Sequence, residues 1–168
     1  MTYIVDTNVI LVANGQHEDV SKDCVAACAL ALQQVMADKR LAVDDSFEIL
    51  IEYQNKTNPN QGRGPGDAFV KWALRNRANK EKCDVVPIIQ HKDRGYESFP
   101  DDVRLSNFDR ADRKFVAVAA AHEEHPKILQ AADSKWIEWA PKLKDHGLEV
   151  EFLCPKDIKR FQATKAKK

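Results

Sequence analysis

Short apolar segments alternate with stretches of helical period along this 168-residue chain, and that alternation restricts the fold more than any other feature. Residues 2–5, 41–43, 84–89, 127–132 and 148–153 have the length and apolar content of strands. Between them, residues 20–38 repeat Val20, Cys24, Ala27, Cys28, Ala31 and Val35 at helical spacing. Ser46 is placed to cap a second helix carrying Phe47, Ile49, Leu50 and Tyr53. After a Gly-, Pro- and Asn-rich loop (58–66), a third helix starts near Asp67. A fourth begins at Asn107 or Asp109 and runs to about Glu123, and a fifth spans Trp136 to His146, ended by Gly147. Pro155 opens a short last helix, while residues 90–107 read as irregular. Strands that follow one another through helices form a parallel sheet covered on both faces. The expected fold is therefore α/β: a three-layer α/β/α sandwich around a mainly parallel sheet of about five strands.

The length suits one domain, expected over 1–163, with a basic, disordered tail at 164–168. A hydrophobic fraction of 43% beside 31% charged residues describes a globular chain with a real core. No apolar run approaches the roughly 20 residues of a membrane helix. The first residues enter a strand without a basic region or cleavage site, so no membrane association and a cytoplasmic location are expected. Cys24, Cys28, Cys83 and Cys154 contain no CxxC pair and are read as reduced packing residues. Net charge is zero, with 26 basic and 26 acidic side chains, so bulk electrostatics give no case for a polyanionic partner.

The acids at segment ends carry more information. Asp6 ends the first strand and Asp133 the fourth, while Glu52 and Asp112 lie on predicted helices. Residues just past the carboxyl ends of strands in an open α/β sheet converge on one crevice. Converging carboxylates repel, so they call for a cation or a shared proton, and hard oxygen ligands select Mg²⁺ or Mn²⁺. Each acid also has a purely structural explanation. Asp6 and Asp109 suit helix caps, Asp112 a first helical turn, Asp133 a strand-end turn, and Glu52 a solvated face shared with Glu48.

Four segments taken together go further: Val5-Asp6-Thr7-Asn8-Val9-Ile10, Ile51-Glu52-Tyr53, Phe108-Asp109-Arg110-Ala111-Asp112-Arg113-Lys114-Phe115 and Ala131-Ala132-Asp133-Ser134. In this order they resemble the PIN-domain family of metal-dependent nucleases over almost the whole chain. The resemblance implies Asp6, Glu52, Asp112 and Asp133 as the family's four acids. They would hold one or two Mg²⁺ or Mn²⁺ ions for hydrolysis of phosphodiester bonds in RNA, and Glu52 is also a candidate for orienting the water. Thr7, Asn8, Asp109 and Ser134 are auxiliary candidates, and Arg63, Arg113 and Lys135 candidates for substrate contact. Lys135 stands where many relatives carry a further acid, which puts a second ion in question.

A stand-alone domain of this size resembles toxin or effector endoribonucleases restrained by an inhibitory protein partner, and it leaves room for a homo-oligomer. The competing readings are a nuclease acting on DNA or structured flaps, and a non-catalytic binding or scaffold module. Gly62-Arg63-Gly64-Pro65-Gly66 lacks the Gly-Lys-Ser/Thr ending of a nucleotide cradle. Trp72, Trp136 and Trp139 read as core, His122 and His125 as a helix end, and Asp44 and Asp45 as a turn and helix cap.

Overall fold

A computed structural model describes residues 1–166. Five parallel strands form the central sheet: β1 (Thr2–Val5), β2 (Arg40–Asp44), β3 (Cys83–Val86), β6 (Lys127–Gln130) and β7 (Val150–Phe152). Their order is β3-β2-β1-β6-β7. The chain steps outward from β1 to β2 and β3, then crosses back to β6 on the other side of β1. The direction of winding reverses between β1 and β6, so crossovers of one hand place helices on both faces. On one face α1 (Thr7–Ala13), α2 (Lys22–Asp38) and α4 (Pro65–Asn76) pack on one another, and α3 (Glu48–Lys56) contacts α1 and α4. α5 (Arg113–Ala121) lies against β1, β2 and β6. α6 (Lys135–Lys144) and α7 (Pro155–Ala166) complete the α/β/α sandwich.

The core is continuous across the layers and includes Ile4, Val5, Ile10, Leu41, Tyr53, Phe69, Phe115 and Ile128. Trp136 and Trp139 join it, packed with Phe108, whose ring centroid lies 4.1 Å from that of Trp139. No helix among the described residues is long and apolar enough to cross a membrane.

Several local readings change. The sequence gives no sign of α1, whose residues are almost all apolar. Residues 90–107, read as irregular, hold a two-stranded hairpin, β4 (Gln90–His91) with β5 (Gly95–Tyr96), and a 3-10 turn at Val103–Leu105. The tail expected to be disordered, 164–168, continues α7 through Ala166, while Lys167 and Lys168 lie outside the described residues. The cysteines are not all reduced: Cys24 on α2 and Cys154 before α7 form a disulfide, and Cys28 and Cys83 are free and buried. The two partners are 130 residues apart in sequence, a pairing that spacing alone cannot reveal.

Ser46 does not cap α3. The cap position falls on Phe47, in the left-handed region at φ 64°, and the capping is done by the fully buried Asp44. Its carboxylate accepts from the backbone N–H groups of Ser46 (3.0 Å), Glu48 (2.9 Å) and Ile49 (2.8 Å). Three charge-assisted bonds hold a backbone conformation that a bulky aromatic residue rarely adopts. Asp44→Ala should therefore destabilise the chain by about 3 kcal/mol, read as a lower urea midpoint at unchanged slope, because three backbone donors, the buried Ile49 N–H among them, lose their acceptor.

Candidate functional site

The crevice at the reversal point is built from the ends of β1 and β6. The Asp6 N–H extends their ladder, donating to the Leu129 carbonyl at 3.0 Å. Asp6 then turns the chain into α1, accepting the Asn8 N–H on Oδ2 at 2.8 Å. The Tyr53 hydroxyl, fully buried, donates to the Val5 carbonyl and fixes the strand end just before this acid. Across the crevice the Ala132 N–H donates to Asn8 Oδ1 at 3.1 Å, which locks the segment leading to Asp133 onto α1. One atom is left over: Asp6 Oδ1 is buried and has no hydrogen-bond partner. The nearby Gln130 amide draws the Asp6 pKa down slightly, but its Nε2 closes no hydrogen bond and is itself unpaired.

Glu52 and Asp112 approach from the helices. Glu52 accepts the Thr7 hydroxyl on Oε2, and its Oε1 lies 2.8 Å from Lys114 Nζ. Lys114 is buried in the first turn of α5 and also donates to the Ala111 carbonyl. Asp112 ends a 3-10 turn (Arg110–Asp112) directly before α5. Asp133 is held by the Lys135 N–H on Oδ1 at 3.0 Å.

The electrostatics tie these groups together. Burial, then the neighbouring Asp112 and Glu52 charges, push the Asp6 carboxyl up to about 8 against the pull of the Asn8 N–H. Asp112 is pushed up to about 6 by its own burial, then by Asp133 and Glu52, with Lys114 acting in the opposite sense. Asp133 thus acts on Asp112, and Asp112 in turn acts on Asp6. These carboxylates are not drawn tight. The one group of three potential metal-ligating atoms within 4.8 Å of one another, among the described residues, is Cys24, Cys28 and Cys154. Three acids at that separation would repel strongly without a cation between them.

Two depressions adjoin the acids. A cleft of about 670 Å³ runs from Asn8, Asp133 and Ser134 to Arg160, Phe161 and Lys165 on α7. His17 stacks beside Phe161 on its wall, ring centroids 6.0 Å apart. Lys165 Nζ donates to the Ser134 hydroxyl at 2.9 Å, which places a cation beside Asp133. A smaller depression of about 330 Å³ is lined by Glu52, Lys114, Tyr96 and Arg110.

Asp6, Glu52, Asp112 and Asp133 therefore gather at the carboxyl end of the central strands, with Thr7 and Asn8 bonded into the cluster. Asp109 lies at its rim, paired with Lys135 at 3.2 Å. Two candidates for substrate contact are elsewhere. Arg113 is buried, and its guanidinium donates to the carbonyls of Phe108, Arg94 and Ser106, so it clamps the 94–108 segment. Arg63 belongs to the loop that Asp67 and Asn14 fasten to the far end of α1, away from Asp6. The sequence gives Phe161 no role, and Lys114, Arg160 and Lys165 only places in runs of basic residues.

The oxygen-only donors and the buried, unpaired carboxylate oxygen match the chemistry of a hard divalent cation, and Asp6, Asp112 and Asp133 would have to close in to hold one. Glu52 fits less well as a ligand, since Thr7 and Lys114 occupy it. Comparison with family models, curated proteins and solved structures finds no match to this chain.

The raised acids set the pH dependence of the metal-free chain. A carboxyl whose folded pKa exceeds its unfolded value of ~3.9 contributes stability below that value and loses it as pH rises through the folded pKa. For Asp6 the loss extends up to about 8. In chelator the melting temperature should fall between about pH 5 and pH 8, and Asp6→Asn should flatten that slope. Adding Mn²⁺ at the upper end should raise the melting temperature of the wild type more than that of Asp6→Asn.

Proposed function

We propose that this chain is a metal-dependent endoribonuclease of the PIN-domain kind, with its reaction centre at the crevice between β1 and β6. The observation that carries the reading is the Asp6 Oδ1 atom, buried and unpartnered in a cluster where Asp112 and Glu52 repel its charge. Such an atom is stabilised by a cation, and Asp6, Asp112 and Asp133 would hold Mg²⁺ or Mn²⁺. When bound, the ion would neutralise charge on a phosphoryl oxygen and acidify a water.

The chain's own residues supply the rest. The Asn8 N–H fixes one oxygen of Asp6, so the other keeps its direction. Lys114 and Thr7 orient Glu52, whose remaining lone pairs can accept a proton from a water in the depression it lines. Lys165 and Arg160 offer charge to the phosphates of a strand, and Phe161 offers a ring face to a base.

Labelled single-stranded RNA and DNA incubated with Mn²⁺, Mg²⁺ or chelator test the reading. Metal-dependent cleavage of RNA is expected, falling by on the order of 100-fold or more in Asp6→Asn and in Asp112→Asn. Cleavage at the same rate by wild type and both variants, or no cleavage of either polymer, overturns it; DNA cleavage alone would move the substrate class. In the Asp6→Asn chain, Lys165→Ala should weaken RNA binding and lower the slope of log affinity against log salt by about one.

A further inference from the structure

Outside the acidic crevice, one cluster has more reactive groups than its packing requires. Cys24 and Cys28 lie one turn apart on the same side of α2, and Cys154 reaches them from the junction between β7 and α7. All three are buried, Cys28 completely, and their sulfurs lie within 4.8 Å of one another. A disulfide accounts for Cys24 and Cys154. It does not account for Cys28, whose Sγ is 3.9 Å from that of Cys154. At a Zn–S distance of ~2.3 Å, two thiolates at a tetrahedral angle place their sulfurs ~3.8 Å apart. The separation across the two elements is already that of two ligands on one ion. A depression of about 460 Å³ reaches Cys24 and Cys154 from solvent, past Asp23 and Lys156, giving an entry path and room for a water as fourth ligand.

We propose that Cys24, Cys28 and Cys154 form, in the reduced chain, a thiolate site for one soft divalent cation of the zinc class, and that the Cys24–Cys154 disulfide is the oxidised, metal-free form of the same site. The exchange balances with a peroxide as oxidant. The two thiolates give up two electrons and form the S–S bond. The peroxide takes those electrons with two protons and leaves as two waters, and the cation departs because only Cys28 remains as a thiol. A phosphine and water reverse the sulfur chemistry, yielding two thiols and a phosphine oxide. Sulfur here and oxygen at the β1–β6 crevice select different cations, so the two sites do not compete for the same ion.

The full chain, reduced with a water-soluble phosphine and titrated with Cd²⁺ and Zn²⁺, tests this independently of any nuclease activity. Expected are one Cd²⁺ per chain with sulfur-to-cadmium charge-transfer absorption, unchanged in Asp6→Asn, and release of the ion on adding hydrogen peroxide as the disulfide forms. Cys28→Ser should weaken binding by more than about 100-fold while still forming the disulfide. In the wild type, Zn²⁺ should slow alkylation of Cys24, Cys28 and Cys154 together and leave Cys83 unchanged, a readout that needs no variant. Absence of the thiolate band, or equal alkylation rates with and without Zn²⁺, overturns the proposal.

Discussion

Everything at the candidate site depends on an ionisable group placed where water is excluded. Asp6 follows a strand buried on both faces and caps a helix buried on nearly all sides, so its carboxyl cannot turn to solvent. The cap satisfies Oδ2, and the strand ladder satisfies its backbone N–H. Oδ1 closes no hydrogen bond, and the Gln130 amide near it is unpaired too. Asp44 shows the alternative that the same fold can supply: an acid at the end of β2, equally buried, with three backbone donors closing around it. The contrast separates an acid that completes a turn from one whose last valence is left open at a crevice. Both end a central strand, and only the second lies where the winding reverses.

α7 connects that crevice to the sulfur cluster. Its first turn is fastened to α2 by the Cys24–Cys154 bond and by Asp157, which accepts from the Ser21 N–H at 2.6 Å and the Ser21 hydroxyl at 2.8 Å. Further along, the same helix presents Arg160, Phe161 and Lys165 to the cleft beside Asp133. A disulfide and a shared cation both fasten the root of this wall to α2. Reduced, metal-free thiols leave it to Asp157 and the Arg160 contact with the Asp19 carbonyl. The chemistry of the sulfurs thereby bears on how firmly one side of the cleft is held.

Strand positions were legible because short apolar runs bounded by turns have few other uses, and the gathering of Asp6 and Asp133 follows from topology alone. α1 was not legible. Val9, Ile10, Val12 and Ala13 are all buried, so there is no polar face to show a helical period, and a run rich in β-branched residues does not read as helix. Glu52 was separable from Glu48 only by resemblance; in space Glu48 turns to the Tyr96 hydroxyl at 2.6 Å. Arg113 and Lys114 illustrate the limit of charge reading. Adjacent cations before an apolar helix suggest a phosphate-facing patch, yet one clamps backbone carbonyls and the other neutralises an acid 62 residues away. Long-range pairing decides both, and no local pattern carries it.

The division of labour among the acids follows from counting charge. Asp6, Glu52, Asp112 and Asp133 would carry four negative charges if all were ionised, and Lys114 is the buried cation set among them. Lys135 is exposed, pairs first with Asp109 and acts more weakly on Asp133 and Asp112. Burial and one buried positive charge against four leave Asp6 and Asp112 to resist ionisation, which is the sense of both raised pKa values. A second buried lysine would have relieved the repulsion and closed the site to any ion. Because Lys114 is committed to Glu52, the remaining three acids keep a deficit that a divalent cation reduces and a proton reduces only in part. In the proposed nuclease the same pairing would suit Glu52 to orient a water rather than bind an ion: its charge is already balanced, while its oxygens still accept hydrogen bonds.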